Sequence, residues 1–116
     1  MQADILLISI RGFLDTVVAY HLQEKIEKLI EEGHHKLLID LKDLEYIGSS
    51  GVGLFSAIIL DLQRHHGKVV FINMPAQVYD VLRLTHLLKI FTIAENQEKA
   101  LEILENAKIE ELKIED

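Results

Sequence analysis

Two adjacent hydroxyls, Ser49 and Ser50, stand between Gly48 and Gly51, with Gly53 two residues further on. An apolar run, Leu37-Leu38-Ile39, ends at Asp40-Leu41 just before them, and a short polar loop containing Asp43 fills the interval. After them comes a long apolar segment from Val52 onward. This order describes a buried strand, a loop, and a helix whose first turn carries exposed hydroxyls. A helix N-terminus leaves backbone N–H groups unpaired and carries positive partial charge, so it suits a phosphate or another anion. Read as local structure alone, Ser49 caps the helix, and Gly51 and Gly53 permit close packing.

Enzyme and cofactor motifs fail here on particular residues. A phosphate-binding P-loop needs a Lys after its second glycine, and none follows. A dinucleotide fingerprint is met by Gly51 and Gly53, but Ser56 takes the third glycine's place. A nucleophile elbow around Ser50 needs glycine where Val52 stands. Asp40 and Asp43 form a carboxylate pair of the kind used in acid–base catalysis. Asp40, however, closes a strand beside the serine loop, and no second convergent base or pocket is legible, which favours a loop hydrogen-bonding role.

The six histidines include two pairs, His34-His35 and His65-His66, each near a helix C-terminus. Adjacent residues point in different directions, unlike the i,i+4 histidines of a metalloprotease helix, and no cysteine joins them. Positive charge at a helix C-terminus is favourable in itself. Both pairs are expected at the sheet edge opposite the serines, with a helix of on the order of 24 Å between His65 and Ser49. No metal ligand set and no cofactor are expected.

The elements that must position these groups follow from periodicity. Ile5 to Ile10 reads as a strand, with a turn at Arg11-Gly12. Asp15 or Thr16 can cap a helix whose stripe is Val18, Leu22, Ile26, Leu29 and Ile30, stopped by Gly33. Lys36 to Leu41 is a strand with the continuous apolar centre of a central parallel strand. The second helix starts near Ser49 or Ser50 and runs to about His65, with almost no polar face. Lys68 to Ile72 is a strand, and Pro75 suits the first turn of a short helix presenting Val78, Val81, Leu82 and Thr85 inward. Phe91 to Ala94 is a last short strand, and Asn96 caps a helix carrying Ala100, Leu101 and Leu104. The order β-α-β-α-β-α-β-α with short loops predicts an α/β fold. About four strands form a mostly parallel sheet, covered by about four helices. The charged tail, 107–116, either extends the last helix or adds a strand.

Composition narrows the function class. The 116 residues make one domain. A formal charge of −7, from 12 basic and 19 acidic residues, argues against nucleic acid, which needs clustered Lys and Arg. There is no cysteine, no apolar run of membrane-spanning length, and no basic n-region at Met1-Gln2-Ala3-Asp4. A cytoplasmic protein without membrane insertion is expected.

The run from Leu38 to Leu54 closely resembles the signature of the STAS domain family, named for sulphate transporters and anti-sigma factor antagonists. Gly12-Phe13-Leu14-Asp15 is similar to that family's turn before its first helix. Lys68-Val69-Val70, Asn73-Met74-Pro75, Val81-Leu82-Arg83-Leu84-Thr85 through Ile90-Phe91, and Glu98-Lys99-Ala100-Leu101 resemble its later segments in order. The resemblance implies a bacterial anti-sigma factor antagonist, a partner switch in transcription regulation and not an enzyme. It implies phosphorylation of Ser49, with Ser50 as fallback, by an anti-sigma factor serine kinase of GHKL type, reversed by a serine phosphatase. It places the partner surface at Gly12, Leu14, Asp15, Asp40, Asp43, Gly48, Ser49, Ser50, Gly51, Val52 and Gly53. The alternative it implies is a non-phosphorylated STAS binding module of a transporter or signalling scaffold.

Three residues or segments depart from the family pattern. Gly48 stands where many phosphorylated members carry Asp. The family's additional first strand is mostly missing, so a reduced sheet edge is expected. His86 replaces a glycine that often ends the third helix, which puts a non-glycine residue in a left-handed position.

Overall fold

The protein is described by a computed structural model covering residues 5–104 and, as backbone, 109–115. Strand β1 (Ile5–Leu14) is followed by helix α1 (Thr16–Glu31) and strands β2 (Lys36–Asp40) and β3 (Leu44–Ile47). Helix α2 (Ser49–Arg64), β4 (Lys68–Ile72) and α3 (Ala76–Leu84) come next. A 3-10 turn at Leu88–Ile90 leads to β5 (Ile93–Ala94), α4 (Gln97–Leu104) and β6 (Ile109–Glu115). Every strand pairing among the described residues is parallel. The sheet runs β3-β1-β2-β4-β5, and β6 also pairs with β1. The expected class therefore holds, with four helices among the described residues and two strands, β3 and β6, beyond the expected four.

Alternation on β1 builds two cores. Leu6, Ile8, Ile10 and Leu14 face the layer of α1, α2 and α3, while Ile5 and Leu7 face α4. Helix α1 buries Ala19, Leu22, Ile26 and Ile30, one residue per turn on one face. Helix α2 buries seven residues from Gly51 to Leu62 yet leaves Leu60 exposed, so it is less completely covered than its composition suggests. Three rings, Phe55, Phe71 and Phe91, meet at centroid distances of 5.0–6.3 Å where α2 crosses β4.

The chain does not turn at Arg11-Gly12. Strand β1 continues to Leu14, and Gly12 takes a left-handed φ of 84° at a shift of register against β3. Partners advance from Gly12↔Leu44 to Phe13↔Tyr46, so Glu45 is the extra residue of a bulge. The bulge also hides β3 in the sequence: Leu44 and Ile47, both buried, are three residues apart instead of two. Other boundaries shift slightly. Pro75 is the N-cap of α3, one residue outside the helix, and the 91–94 strand is paired only at Ile93 and Ala94. Asn96 caps α4 as expected, its Oδ1 accepting from Lys99 N at 2.9 Å. His86 adopts the left-handed conformation, φ 61°.

The tail adopts the strand alternative over 109–115, in register with Ile5 to Arg11. Residues 107, 108 and 116 lie outside the described residues. The C-terminal strand thus pairs along β1 from Ile5 to Arg11.

Candidate functional site

Parallel pairing of β1 with β3 places Leu14 beside Ile47. The chain then leaves both strands in the same way. Asp15 (φ −88°, ψ −175°) and Gly48 (φ −95°, ψ −179°) are extended N-cap residues that start α1 and α2. Two helix N-termini therefore emerge side by side. Gly48 N donates to Leu14 O at 3.2 Å, and Ser50 Oγ donates to Thr16 Oγ1 at 3.1 Å, tying the two first turns together.

The two serines differ in consequence. Ser50 is half-buried and hydrogen-bonded; Ser49 is exposed, and no described side chain holds its hydroxyl. Ser49 does not cap α2 as the local reading expected. It is the first helical residue, and the cap, Gly48, has no side chain to offer. No acidic residue occupies that first turn. The N–H groups of Ser49 and Ser50 have no acceptor within the helix, whereas those of Gly51 and Val52 both reach Gly48 O. The turn thus retains its positive partial charge beside an exposed hydroxyl.

The three glycines have different reasons. A Cβ on Gly51 would lie 2.6 Å from Ile47 Cγ1 and 2.9 Å from Leu14 Cδ2, so its absence lets α2 settle on the sheet. A Cβ on Gly53 would meet nothing within 4 Å, so close packing does not explain that residue. At Gly48 an added Cβ would make ordinary contact with Tyr46 Oη at 3.5 Å, and φ is unstrained. An alanine fits there.

The remaining predicted positions divide between surface and support. Asp15 is exposed, and its Oδ1 accepts from Val18 N at 3.1 Å, capping α1. Asp40 Oδ1 accepts from Lys42 N at 3.0 Å and from Asn73 Nδ2 at 2.9 Å, pinning the β2–β3 loop to the β4–α3 loop. Asp43 is exposed, and its carbonyl accepts from Gly12 N at 3.0 Å. Leu14, Gly51 and Val52 are buried and hold the site from below. His34-His35 and His65-His66 lie at the other end, before β2 and after α2.

One surface feature lies beside the predicted positions. Phe13 and Tyr46, paired across β1 and β3, stack at a centroid distance of 5.9 Å and 27°, exposed to 56% and 43%. Period-two alternation against buried Leu14 and Ile47 is the signal that puts both on the open face. Tyr46 Oη reaches the space beside Gly48, so this aromatic patch adjoins the serine turn.

No described helix is long and apolar enough to cross a membrane. The STAS domain family model matches residues 1–100. Among curated relatives, a putative anti-sigma factor antagonist, BtrV, of Bordetella bronchiseptica is 24% identical over 95 residues, 82% of this chain and 82% of that protein. The anti-sigma-B factor antagonist of Bacillus subtilis is 30% identical over 91 residues, 78% of this chain and 83% of that protein. In fold, the chain is similar to the anti-sigma factor antagonist SpoIIAA in its unphosphorylated form. That match has a TM-score of 0.76 and 22% identity over 92% of this chain and 95% of that one. Parallel strands delivering two helix N-termini and a serine pair, together with a match spanning residues 1–100, place this chain in the STAS domain family.

Proposed function

We propose that this chain is an anti-sigma factor antagonist switched by phosphorylation of Ser49. The observation that carries the reading is the contrast within the serine pair. Ser49 is exposed at the first turn of α2, while Ser50 is tied to Thr16. In the unmodified state the Ser49 turn, the Asp15 turn and the Phe13–Tyr46 patch form one docking face for an anti-sigma factor. Exposed aromatic pairs are the composition expected of an interface core. Binding there would free a sigma factor. The anti-sigma factor would be a serine kinase of GHKL type, using ATP and Mg²⁺, and a serine phosphatase would restore the docking face.

The physical logic is local. Phosphate adds about −1.5 to −2 charge, which a helix N-terminus accommodates well. The fold stays intact, and the docking face becomes charged. The chain is then a substrate, without turnover of its own. Relatives named as anti-sigma factor antagonists support the reading, as does the likeness in fold to SpoIIAA.

Gly48 favours a second reading, a STAS binding module of a transporter or scaffold that is never phosphorylated. A carboxylate there could position the hydroxyl or the metal ion in a kinase complex, and glycine cannot. Incubation with the cognate kinase and ATP, followed by phosphosite mapping, separates the two. Modification of wild type but not of Ser49→Ala is expected. Unmodified wild type would transfer the case to the scaffold reading.

A further inference from the structure

At the opposite end of the molecule, the two histidine pairs meet. His35, between α1 and β2, and His65, the C-cap of α2, have ring centroids 4.8 Å apart at 43°. Backbone contacts fix this approach. Lys68 N donates to His35 O at 2.8 Å, and a Cβ on Gly67 would sit 2.3 Å from that same oxygen. The glycine is therefore required for the two segments to lie this close.

Each imidazole spends one nitrogen on a backbone carbonyl. His35 Nε2 lies 3.0 Å from Ile30 O, and His65 Nδ1 lies 3.0 Å from Asp61 O. A carbonyl only accepts, so both of those nitrogens carry the hydrogen. In the neutral rings, His35 Nδ1 and His65 Nε2 are left with lone pairs. A backbone carbonyl on the far nitrogen is the arrangement that fixes the tautomer and direction of metal-bound histidines.

Ring separation suits a shared ion. A metal–imidazole bond is about 2.0–2.1 Å and the nitrogen is roughly 1.1 Å from its ring centre, which puts each centre about 3.2 Å from the ion. Ligand angles of about 90–109°, square-planar to tetrahedral, then hold the two centres about 4.5–5.2 Å apart. The observed 4.8 Å falls inside that window. Asp61 Oδ1, 3.9 Å from His65 Nδ1, adds negative charge behind one ligand.

We infer that His35 and His65 form a two-histidine clip for a divalent transition-metal ion of imidazole preference, such as Ni²⁺, Cu²⁺ or Zn²⁺. Among the described residues no group of three His, Cys, Asp or Glu side chains could hold a metal, so water completes the coordination. The clip joins the C-terminal ends of α1 and α2, the two helices whose N-termini carry the serine site.

The test uses the full chain and NiCl₂. Calorimetry is expected to give one Ni²⁺ per chain. Ring signals of His35 and His65 should be the first that paramagnetic Ni²⁺ broadens in NMR spectra, ahead of those of His21 and His86. His35→Gln and His65→Asn keep an N–H where Nε2 and Nδ1 meet their backbone carbonyls, and each should weaken binding at least about tenfold. His86→Gln should leave affinity unchanged. Broadening that begins at other histidines overturns the inference, and so does wild-type affinity in both His35→Gln and His65→Asn. Wild-type broadening decides the matter even where a variant folds poorly.

Discussion

Ser50 Oγ donates to Thr16 Oγ1 at 3.1 Å, a hydrogen bond between residues 34 apart in sequence that locks the first turns of α1 and α2 together. A hydroxyl held in this way must break its bond before it can attack a phosphoryl group. No described side chain restrains the neighbouring Ser49 hydroxyl. Thr16→Val removes the acceptor and keeps the shape. Kinase treatment of wild type should modify Ser49 alone, whereas Thr16→Val should add modification at Ser50. The lost bond is exposed, so stability should fall by no more than about 1 kcal/mol. Site-resolved mass spectrometry reads the outcome. An unchanged site pattern would remove the selective role of Thr16.

Ser49→Asp should separate charge from fold. An acidic group in the first turn of a helix typically stabilises by ~0.3–1 kcal/mol, and no acidic residue is there now. The same charge inside a docked face must lose water. A mispaired buried charge at an interface can cost ~2–5 kcal/mol, or ~30-fold and more in affinity. The melting temperature should therefore hold or rise while partner binding falls, with Ser49→Ala binding like wild type. A loss of binding that merely follows a collapse in melting temperature would defeat the charge-switch mechanism.

Gly51 and Gly53, alike in sequence, should respond oppositely to Ala. At Gly51 the new methyl meets Ile47 and Leu14, both buried, and overpacking typically costs ~1–3 kcal/mol. At Gly53 the methyl enters open space, and the gain in helix propensity is worth roughly 0.5–1 kcal/mol. Urea denaturation of the two variants should move the midpoint in opposite directions. Equal shifts would mean that α2 is not seated on the β1–β3 pair as described.

Local rules reached most of the frame and stopped where contacts are non-local. Asp15 as a cap and the apolar stripe of α1 were legible because each depends on neighbours within a few residues. Arg11-Gly12 reads as a turn because glycine serves turns and bulges alike in sequence; only pairing with β3 distinguishes them. The β3 strand stayed hidden because its bulge breaks the period-two spacing of Leu44 and Ile47. The tail carried partial alternation, but its choice of strand over helix depends on the open edge of β1. At the site, the serine turn was legible, yet Ser49 as cap was not borne out, because Gly48 already supplies the extended residue before α2. The bond from Ser50 to Thr16 and the stacking of Phe13 on Tyr46 both require β1 and β3 to be brought together first.

Phe13 and Tyr46 should matter to binding far more than to folding. Each ring keeps about half its surface exposed, so truncation forfeits little buried area. Their mutual stacking is worth roughly 0.5–1.5 kcal/mol, which bounds the stability either alanine variant should lose through it. A docked partner would bury the remaining surface, and aromatic anchors near the centre of an interface commonly cost ~2 kcal/mol or more on truncation, ~30-fold in affinity. Phe13→Ala and Tyr46→Ala should therefore each weaken partner binding by roughly that factor, with melting temperatures within a few degrees of wild type. Because the rings touch, the double variant should lose less affinity than the two single losses combined. Tyr79, on α3 and similarly exposed at 42%, is the control: its alanine variant should bind normally. If Phe13→Ala folds and binds like wild type while Tyr79→Ala does not, the docking face lies on α3 and not at the end of β1.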